Sequence, residues 1–546
     1  MFKLKKTISI ILCVVLLLSG LSIFGFATND APTYYIDSVN GDDSNTGRSE
    51  NSPWKTINHD DWEFVPGTKV FFKRGGIYEF EATLTVSGTK ENPIVISSYG
   101  DKTEEKPILR TSGHNEVFDF VDCDYVTVSD LAITAPNGGG IWIRGVNKQS
   151  NGMVVENVDF YDMQNYDRHT RDPFGSGAAD ARAAIMVNGL WGPEENYKQT
   201  VNDLTIRNCT VENCANGFML WGIVRGNPAE THATVERTYN KNVLVEGCYF
   251  NNMYAEAIVV GVCDGARVTN CVSLNTCLGG AEPLPDGGIE YFTASMWFWG
   301  SKNCVIEHTE IAGQKNYGDA MTVDFDADSN YCTYQYVYSH DNIRFMCNNA
   351  MGGRPQIGNT VRYCLSVNDN VGRSSMASGS GEVEFSFYNN TIVNGHEMHV
   401  VNVESGIVAN NIFTFKPGYY VYYNDRNLNA KTDFTNNCYY MAPNPPFDLL
   451  SLNTKPEFAG DDMTDVNSFR LVKGSKLIGA GIEREDIEKV QYDFFGEEIT
   501  SINIGCYGGN GVEGERDVYD IFDIMFDVLR FFKGLFDRLI SGELLD

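Results

Sequence analysis

Asp324 and Asp326 are the residues of this sequence whose type and spacing best fit acid–base chemistry. They lie in the segment MTVDFD, where they alternate with Val323 and Phe325. In a β-strand, residues two apart share a face and their Cα atoms lie about 6.5 Å apart. Hydrolysis of a glycosidic bond uses two carboxyl groups about 5 to 9 Å apart. The spacing predicts an outward catalytic pair. It leaves open which aspartate is the acid and whether the anomeric configuration is retained or inverted. The alternative interpretation is a solvated acidic face.

Aromatic and polar residues of neighbouring repeats are predicted to surround this pair. A constant sequence offset places Trp297 and Trp299 directly beside the two aspartates. Exposed indole rings stack on the apolar faces of sugars, and their N–H groups reach sugar hydroxyls. The side chains predicted to bind substrate are Thr322, Trp221, Trp297, Trp299, Arg344 and Asn348. For the tryptophans, packing beneath a covering loop is the alternative.

Two other functions can use the same face. In a Ca²⁺-dependent polysaccharide lyase, Asp328 would join Asp324 and Asp326 in binding the ion, because carboxylate oxygens are preferred ligands of Ca²⁺. Arg344 or a nearby lysine would then remove the proton beside a uronate carboxylate, although few basic residues are predicted on this face. In a non-catalytic glycan-binding protein or adhesin, the face would bind without turnover. For a hydrolase we expect no cofactor.

A short phrase that recurs along the chain predicts the elements that position these residues. Each phrase has an apolar residue, a variable residue that is often Asn, and a small or apolar last residue. Most of the last residues are 21 to 28 positions apart, and they are Leu131, Val158, Cys209, Cys248, Cys271, Thr309, Tyr336, Cys364, Thr391, Ile412 and Cys438. A period in this range without helical spacing indicates a solenoid of β-strands.

The cysteines and turn residues fit this solenoid. Thirteen cysteines remain beyond Cys13, an odd number that cannot pair completely, and five of them end a repeat phrase. We therefore predict buried free thiols stacked inside the coil rather than disulfides or a metal site. Four residues after most phrase ends stands Asn, Asp or, in one repeat, His340, which we interpret as a ladder of turn residues rather than as catalytic.

Three repeats are longer than the others. The extra residues are 166–180 with 191–199, 225–241 and 279–292. Insertions in repeat proteins usually border the binding face. We expect these segments to form the walls of a groove over Trp221, Trp299 and Asp326.

The two ends of the sequence and its net charge predict where the protein is located and which partners it binds. Lysines followed by an apolar run predict a signal peptide over 1–27, and hence a secreted, extracellular or cell-surface protein. A solenoid domain is expected over 28–512. Apolar residues at three- and four-residue spacing predict an amphipathic helix over 513–546 that caps the solenoid, docks a protein or lies on a membrane surface. A net charge of −30 argues against nucleic acid or an anionic membrane as the main partner, and we expect a monomer.

Several segments resemble those of a known superfamily. The segments 34–58 and 66–109 are similar to the opening of secreted right-handed β-helix carbohydrate-active proteins, and 492–509 resembles the way those proteins end. The stretch 318–342 resembles a central rung of members assigned as glycosidases. The resemblance implies an all-β, single-stranded right-handed parallel β-helix of about 11 or more rungs, of the pectate-lyase-like superfamily. It also implies a polysaccharide substrate, which we expect to be a plant cell-wall glycan.

Overall fold

The computed structural model describes residues 31–59, 62–163, 183–189, 198–225, 236–279, 293–316, 320–326, 328–350, 354–379, 382–401, 405–424, 431–442 and 445–514. The predicted signal peptide lies outside the described residues. So does the predicted C-terminal helix, apart from its first two residues.

Within the described residues, parallel strands form three long sheets of 14, 12 and 13 strands. The 14-strand sheet contains Thr33–Ile36, Lys69–Lys73, Ile94–Tyr99, Val126–Ser129, Val154–Glu156, Thr205–Arg207, Leu244–Glu246, Arg267–Thr269, Val305–Glu307, Thr333–Gln335, Gln356–Arg362, Val383–Tyr388, Ser405–Ala409 and Lys431–Thr435. The 13-strand sheet contains Ile77–Glu79, Ile108–Arg110, Ala132–Thr134, Asp159–Tyr161, Thr210–Glu212, Tyr249–Asn251, Val272–Leu274, Glu310–Ala312, Tyr338–His340, Leu365–Val367, Thr391–Gly395, Ile412–Phe415 and Cys438–Tyr440. The 12-strand sheet contains Ala82–Leu84, Glu116–Val121, Gly139–Arg144, Ala183–Val187, Asn216–Trp221, Ile258–Gly261, Met296–Trp299, Met321–Asp326, Arg344–Ala350, Ser374–Gly379, Met398–Val401 and Val421–Asn424.

The chain visits the 14-strand, 13-strand and 12-strand sheets in turn and then repeats the cycle, so each rung gives one strand to each sheet. This is the arrangement of a parallel β-helix, and it confirms the predicted all-β solenoid with more than 11 rungs. The shorter elements are the strand pairs Ser150–Asn151 with Val201–Asn202, Ile223–Arg225 with Glu236–Thr238 and Asn240–Lys241 with Cys263–Asp264, and the 3-10 helix Val466–Phe469.

The core fills the inside of the coil. β-Branched and aromatic residues alternate inward along each strand, so Val155, Ile206, Val245 and Val268 stack from rung to rung and are nearly fully buried. All 13 cysteines of the described chain are free thiols, and 12 of them are buried. The prediction of stacked internal thiols is confirmed.

Asparagine and aspartate side chains form a ladder at the turn that follows the 13-strand sheet. Asn213 donates to Asp162 at 3.1 Å, and Asn252 donates to Asn213 at 2.6 Å. These residues have positive φ, which Asn and Asp adopt more readily than other non-glycine residues. In one rung the ladder position belongs to Asp341, with φ of 56°, and not to His340 as predicted. The phrase end that points into the core there is Val337, whereas Tyr336 packs in a separate cluster, and this moves the ladder by one residue.

Among the described residues, no helix is both long enough and apolar enough to span a bilayer.

Candidate active site

The strand Met321–Asp326 directs its two aspartates outward. Val323 and Phe325 are buried in the core of the coil. Because side chains alternate across a strand, Asp324 and Asp326 lie on the outer face of the 12-strand sheet. Asp324 is 9 % exposed and Asp326 is partly exposed. Both acids thus point to the outer face, Asp324 is nearly covered there, and their catalytic role stays a prediction.

The alternation breaks at Thr322, which was predicted to face outward. Its side chain is fully buried, and Oγ1 lies 2.6 Å from Ser339 Oγ and 3.0 Å from Asn342 Nδ2. Met321 instead packs in an apolar cluster on the outer face. The prediction for Thr322 was wrong because its hydroxyl has polar partners inside the coil, so two consecutive side chains, Thr322 and Val323, point inward. The register with strand Arg344–Ala350 is nevertheless unchanged through this point.

A tyrosine hydroxyl separates the candidate strand from its neighbour at Asp324. Strand Met296–Trp299 pairs with the candidate strand only through Phe325 and Asp326. Next to this pairing, the hydroxyl of Tyr334 lies 2.8 Å from the carbonyl of Met296 and 3.2 Å from the backbone nitrogen of Asp324. Burial raises the pKa of Tyr334 well above its ordinary value, so the hydroxyl stays a neutral donor. The interior of the coil thus fixes the backbone that carries Asp324.

The residues beside the pair differ in part from those predicted. Trp299 is in register with Asp326, as predicted. On the other side, Asp324 is in register with Cys347, and Asn348 is level with Phe325 and 1 % exposed. The prediction that Asn348 faces the substrate was wrong, because the sequence offset between these two strands is one residue longer than assumed. Cys347, which the offset missed, borders the candidate acids.

Arg344 also lies one position away from its predicted level. It is level with Met321 rather than with Thr322. Its side chain packs beside Gly372, where a Cβ atom would lie 2.9 Å from Arg344 Nε. It therefore lies at the start of its strand, about three residues or 10 Å along the strand from the level of Asp324.

The three tryptophans are buried rather than exposed. Trp221, Trp297 and Trp299 are 4 %, 6 % and 1 % exposed and belong to the apolar cluster on the outer face. The rings of Trp221 and Trp299 meet edge to face at 5.8 Å. Trp221 also crosses Gly261, where an added Cβ would lie 1.9 Å from its Cε3 atom. The indole rings pack beneath covering structure, which is the alternative to an exposed sugar platform.

Part of this cover is the insertion that begins at residue 225. Its ends form the antiparallel pair Ile223–Arg225 and Glu236–Thr238. Val224 packs in the outer cluster, and the Arg237 guanidinium lies 5.1 Å from the ring centre of Trp299. The described ends of this insertion thus lie over the outer face, as predicted for a groove wall.

Asp328 binds two arginines. Arg237 Nη1 and Arg354 Nη1 each donate to Asp328 Oδ2 at 2.7 Å. The side chains of Arg237 and Asp328 are 5 % and 10 % exposed, so this is a buried ion cluster. Two guanidinium groups on one carboxylate oppose a divalent cation there, and the interpretation of Asp328 as a Ca²⁺ ligand is not supported. No group of three or more His, Cys, Asp and Glu side chains suited to a metal is found among the residues that the structure describes.

The outward residues at the level of Asp324 form a continuous line across the 12-strand sheet, here called the outer row. After the partly exposed Trp142, it contains Met186, Met219, Val259, Trp297, Asp324 and Cys347. The apolar members from Met186 to Trp297 are at most 8 % exposed. Cys347 is partly exposed. The candidate acids therefore stand where the covered apolar part of the row ends.

Comparison with known proteins places this fold among carbohydrate-active β-helices. Lacto-N-biosidase of Bifidobacterium longum subsp. longum is 25 % identical over 592 residues, covering 86 % of this chain and 36 % of that protein. The chain thus spans about a third of the length of this relative. No protein-family model matches the chain.

Solved structures give the same picture of the fold. The crystal structure of GH136 lacto-N-biosidase from Eubacterium ramulus superposes with a TM-score of 0.51 at 19 % identity, covering 74 % of this chain and 67 % of that one. Pectate lyase Pel9A has a TM-score of 0.40 at 14 % identity, covering 87 % of this chain and 96 % of that one. The chain is a parallel β-helix protein that is distantly homologous to lacto-N-biosidase.

Proposed function

We propose that this protein is a glycoside hydrolase in which Asp324 and Asp326 are the two catalytic carboxyl groups. The observation that carries the proposal is their position: both lie on the outer face of one strand, at the end of the covered apolar row. Their Cα atoms are separated by about 6.5 Å, within the range that glycosidic hydrolysis uses. The homology over 86 % of the chain to a lacto-N-biosidase supports the same reaction class.

The relative also points to the substrate class. The relative is named for lacto-N-biose, so we propose a glycan that contains this unit instead of the plant cell-wall glycan expected from the sequence. A secreted location, expected from the first 27 residues, suits this substrate and remains part of the proposal.

The outer row suggests cleavage near a chain end. On one side of the pair, Val259, Met219 and Met186 are 0 %, 5 % and 8 % exposed, and Asp324 itself is 9 % exposed, so a saccharide reaches these positions only by displacing their cover. On the other side, Asp326 and Cys347 are partly exposed. A glycan that approaches from the exposed side therefore meets covered residues beyond the pair. This arrangement favours release of a short unit over cleavage inside a long polymer.

The lyase alternative finds no comparable support. It needs Asp328 as a ligand of Ca²⁺, but that carboxylate is already paired with Arg237 and Arg354. A glycan-binding protein without turnover uses the same face, and an activity assay separates it from the hydrolase.

The test is hydrolysis of p-nitrophenyl lacto-N-bioside by the purified mature chain, beside xylan, arabinan and polygalacturonate. We expect turnover of the lacto-N-bioside, and the Asp324→Asn and Asp326→Asn variants should each lose about 10²- to 10⁴-fold in kcat, the usual contribution of a general acid or base. The anomer formed first, followed by NMR, reports retention or inversion.

A matched control is Asp159→Asn. Asp159 is also an outward strand aspartate, but it lies on the 13-strand sheet and pairs with Lys106 at 2.9 Å. This variant should keep wild-type kcat. Undiminished turnover in both Asp324→Asn and Asp326→Asn would remove the site assignment. Unsaturated products that absorb in the ultraviolet would replace the hydrolase by a lyase, and saccharide binding without products would leave a binding protein.

A further inference from the structure

A buried carboxyl group lies behind the candidate strand, on the inner side of the coil. Asp369 follows strand Leu365–Val367 at the turn toward the 12-strand sheet and is 2 % exposed. Its Oδ2 atom accepts hydrogen bonds from Ser339 Oγ and Ser366 Oγ, the latter at 2.8 Å. Its Oδ1 atom accepts from the backbone N–H of Asn342 at 2.9 Å. The ionised carboxylate thus has three donors.

One of these donors connects Asp369 to the candidate strand. Ser339 Oγ lies 2.6 Å from Thr322 Oγ1, and Asn342 Nδ2 donates to Thr322 Oγ1 at 3.0 Å. Because the single proton of Ser339 is donated to Asp369, the Thr322 hydroxyl must donate to Ser339. The hydrogen bonds then run in one direction, from Asn342 through Thr322 and Ser339 to Asp369, and the carboxylate is their common acceptor.

The backbone of the preceding rung fixes the amide of Asn342. The N–H of Gln314 donates to Asn342 Oδ1 at 3.0 Å, and Asn342 Nδ2 donates to the carbonyl of Ile311 at 2.9 Å. A donor on one side and an acceptor on the other allow a single orientation of the amide. Asn342 therefore presents its Nδ2 atom to Thr322 in a fixed position.

Thr322 is the residue at which the side-chain alternation of the candidate strand changes. With Thr322 and Val323 both inward, Asp324 and Asp326 face outward while Met321 packs in the outer cluster. An inward hydroxyl in an apolar coil is unfavourable unless it is hydrogen-bonded. The bonds from Asn342 and to Ser339 are therefore what makes this local geometry favourable.

Keeping the carboxylate of Asp369 buried costs free energy. Burial raises its pKa to about 6, although the bonds from Ser339, Asn342 and Ser366 and the nearby charge of His340 lower it. The phenol of Tyr338 also interacts electrostatically with this carboxyl. An apolar residue would avoid the desolvation of a buried carboxylate, so the retained acid points to a specific geometric task.

We propose that Asp369 is a positioning residue of the candidate active site: through Ser339 it holds Thr322 inward, and thereby fixes the direction in which Asp324 and Asp326 point. This inference rests on the proposed function for its catalytic consequence, and on the hydrogen bonds alone for its structural part.

The kinetic test uses four variants of the full chain. Thr322→Val keeps the shape and removes the hydroxyl, whereas Thr322→Ser restores it. Asp369→Asn removes the charge and turns one of the two acceptor oxygens into a donor, so that either the serine hydroxyls or the N–H of Asn342 lose their acceptor. Ser366→Ala removes a hydroxyl bonded to the same carboxylate oxygen but not connected to the candidate strand. Thr322→Val and Asp369→Asn should each lower kcat about 10- to 100-fold at nearly constant KM, as expected for a small misplacement of catalytic groups. Thr322→Ser and Ser366→Ala should stay within about twofold of wild type.

A double variant tests whether the two residues act together. Thr322→Val combined with Asp369→Asn should lose no more kcat than the larger single loss, because both break the same series of bonds. The proposal would be overturned if the two losses of kcat multiplied in the double variant, or if Ser366→Ala lost as much kcat as Asp369→Asn.

Amide hydrogen exchange tests the structural part independently of turnover. Exchange within 322–326, followed by mass spectrometry, should be faster in Thr322→Val and Asp369→Asn and unchanged in Thr322→Ser and Ser366→Ala. If the wild-type chain hydrolyses none of the glycans, the proposed function fails while faster exchange in these two variants still supports the positioning role. Unchanged exchange in both would overturn the positioning role, whatever the activity.

Discussion

Cys347 makes the candidate site open to a chemical probe. Of the cysteines that the structure describes, it is the one thiol that is not buried, and it lies in register with Asp324. Buried thiols react slowly, since only the thiolate is nucleophilic and burial raises, for example, the pKa of Cys364 to about 12. A maleimide should therefore label Cys347 selectively, and the bulky adduct should block the outer row beside Asp324. We expect loss of nearly all turnover on labelling, measured together with the mass of the labelled peptide.

The control for this prediction is Cys347→Ser. This variant should keep its activity and become insensitive to the reagent, and a bound oligosaccharide should slow the labelling of the wild-type chain. Full activity in a chain quantitatively labelled at Cys347 would mean that the substrate binds elsewhere.

Single residues show where reasoning from the sequence stops being sufficient. The alternation of MTVDFD correctly predicted that Val323 and Phe325 are internal and that the two aspartates face outward. It failed at Thr322, because hydrogen bonds to side chains of another sheet reversed the local direction. Those partners, Ser339 and Asn342, come from a different strand and turn, so no periodicity within the candidate strand could reveal them.

At the scale of elements, the insertions limited what could be predicted. Strand offsets transfer between rungs of equal length, and they placed Trp299 correctly beside Asp326. Between the candidate strand and the next one the offset is one residue longer than assumed, which turned Asn348 inward and brought Cys347 to the site. The burial of the tryptophans depends on contacts such as that of Arg237 with Trp299, which join an insertion to a distant rung.

The ion cluster around Asp328 connects three separate segments of the chain, and its loss should lower the stability of the fold. Asp328→Asn leaves Arg237 and Arg354 without their charged partner in a buried position. Breaking a buried ion pair from one side typically costs about 3–5 kcal/mol. We expect the free energy of unfolding to fall by that amount, and the Tm to fall with it. Limited proteolysis within 225–241 should also be faster.

An exposed ion pair provides the comparison. Glu513→Gln removes the partner of Lys473, but both side chains are more than half exposed, so solvent and salt screen the attraction between them. Its Tm should hardly change. Neither Ca²⁺ nor a chelator should shift the Tm of the wild type through Asp328, and a Ca²⁺-dependent Tm that is lost in Asp328→Asn would restore the interpretation of Asp328 as a metal ligand.

For the whole molecule, the repeat was the most informative pattern because each rung meets only its neighbours. The same inward positions that recur along the sequence also stack in space, as Cys209 and Cys248 do in successive rungs. Local pattern and tertiary contact therefore coincide, and the all-β solenoid could be predicted from one sequence. The cover of the outer face could not, since it is built from segments that do not repeat.

The pH dependence of global stability follows from the buried acid of the coil. In the folded chain the pKa of Asp369 is raised from 3.8 to about 6 by burial, so the folded state binds this proton more tightly than the unfolded state does. The stabilisation is complete below the ordinary pKa near 4 and is lost as the pH rises through about 6. A shift of this size corresponds to a change on the order of 3 kcal/mol.

Asp369→Asn isolates this contribution, because the variant has no proton to lose. Unfolding by urea at a series of pH values between 4 and 7 should give a wild-type stability that falls, relative to the variant, as the pH rises through this window. Burial also raises the pKa of Asp448 and Asp493, and these groups contribute equally to both chains, so the difference between the two curves belongs to Asp369 and to its interaction with His340. Parallel curves would mean that Asp369 titrates in the folded coil as it does in the unfolded chain, and a difference of opposite sign would mean that its three hydrogen bonds outweigh the desolvation of the carboxylate.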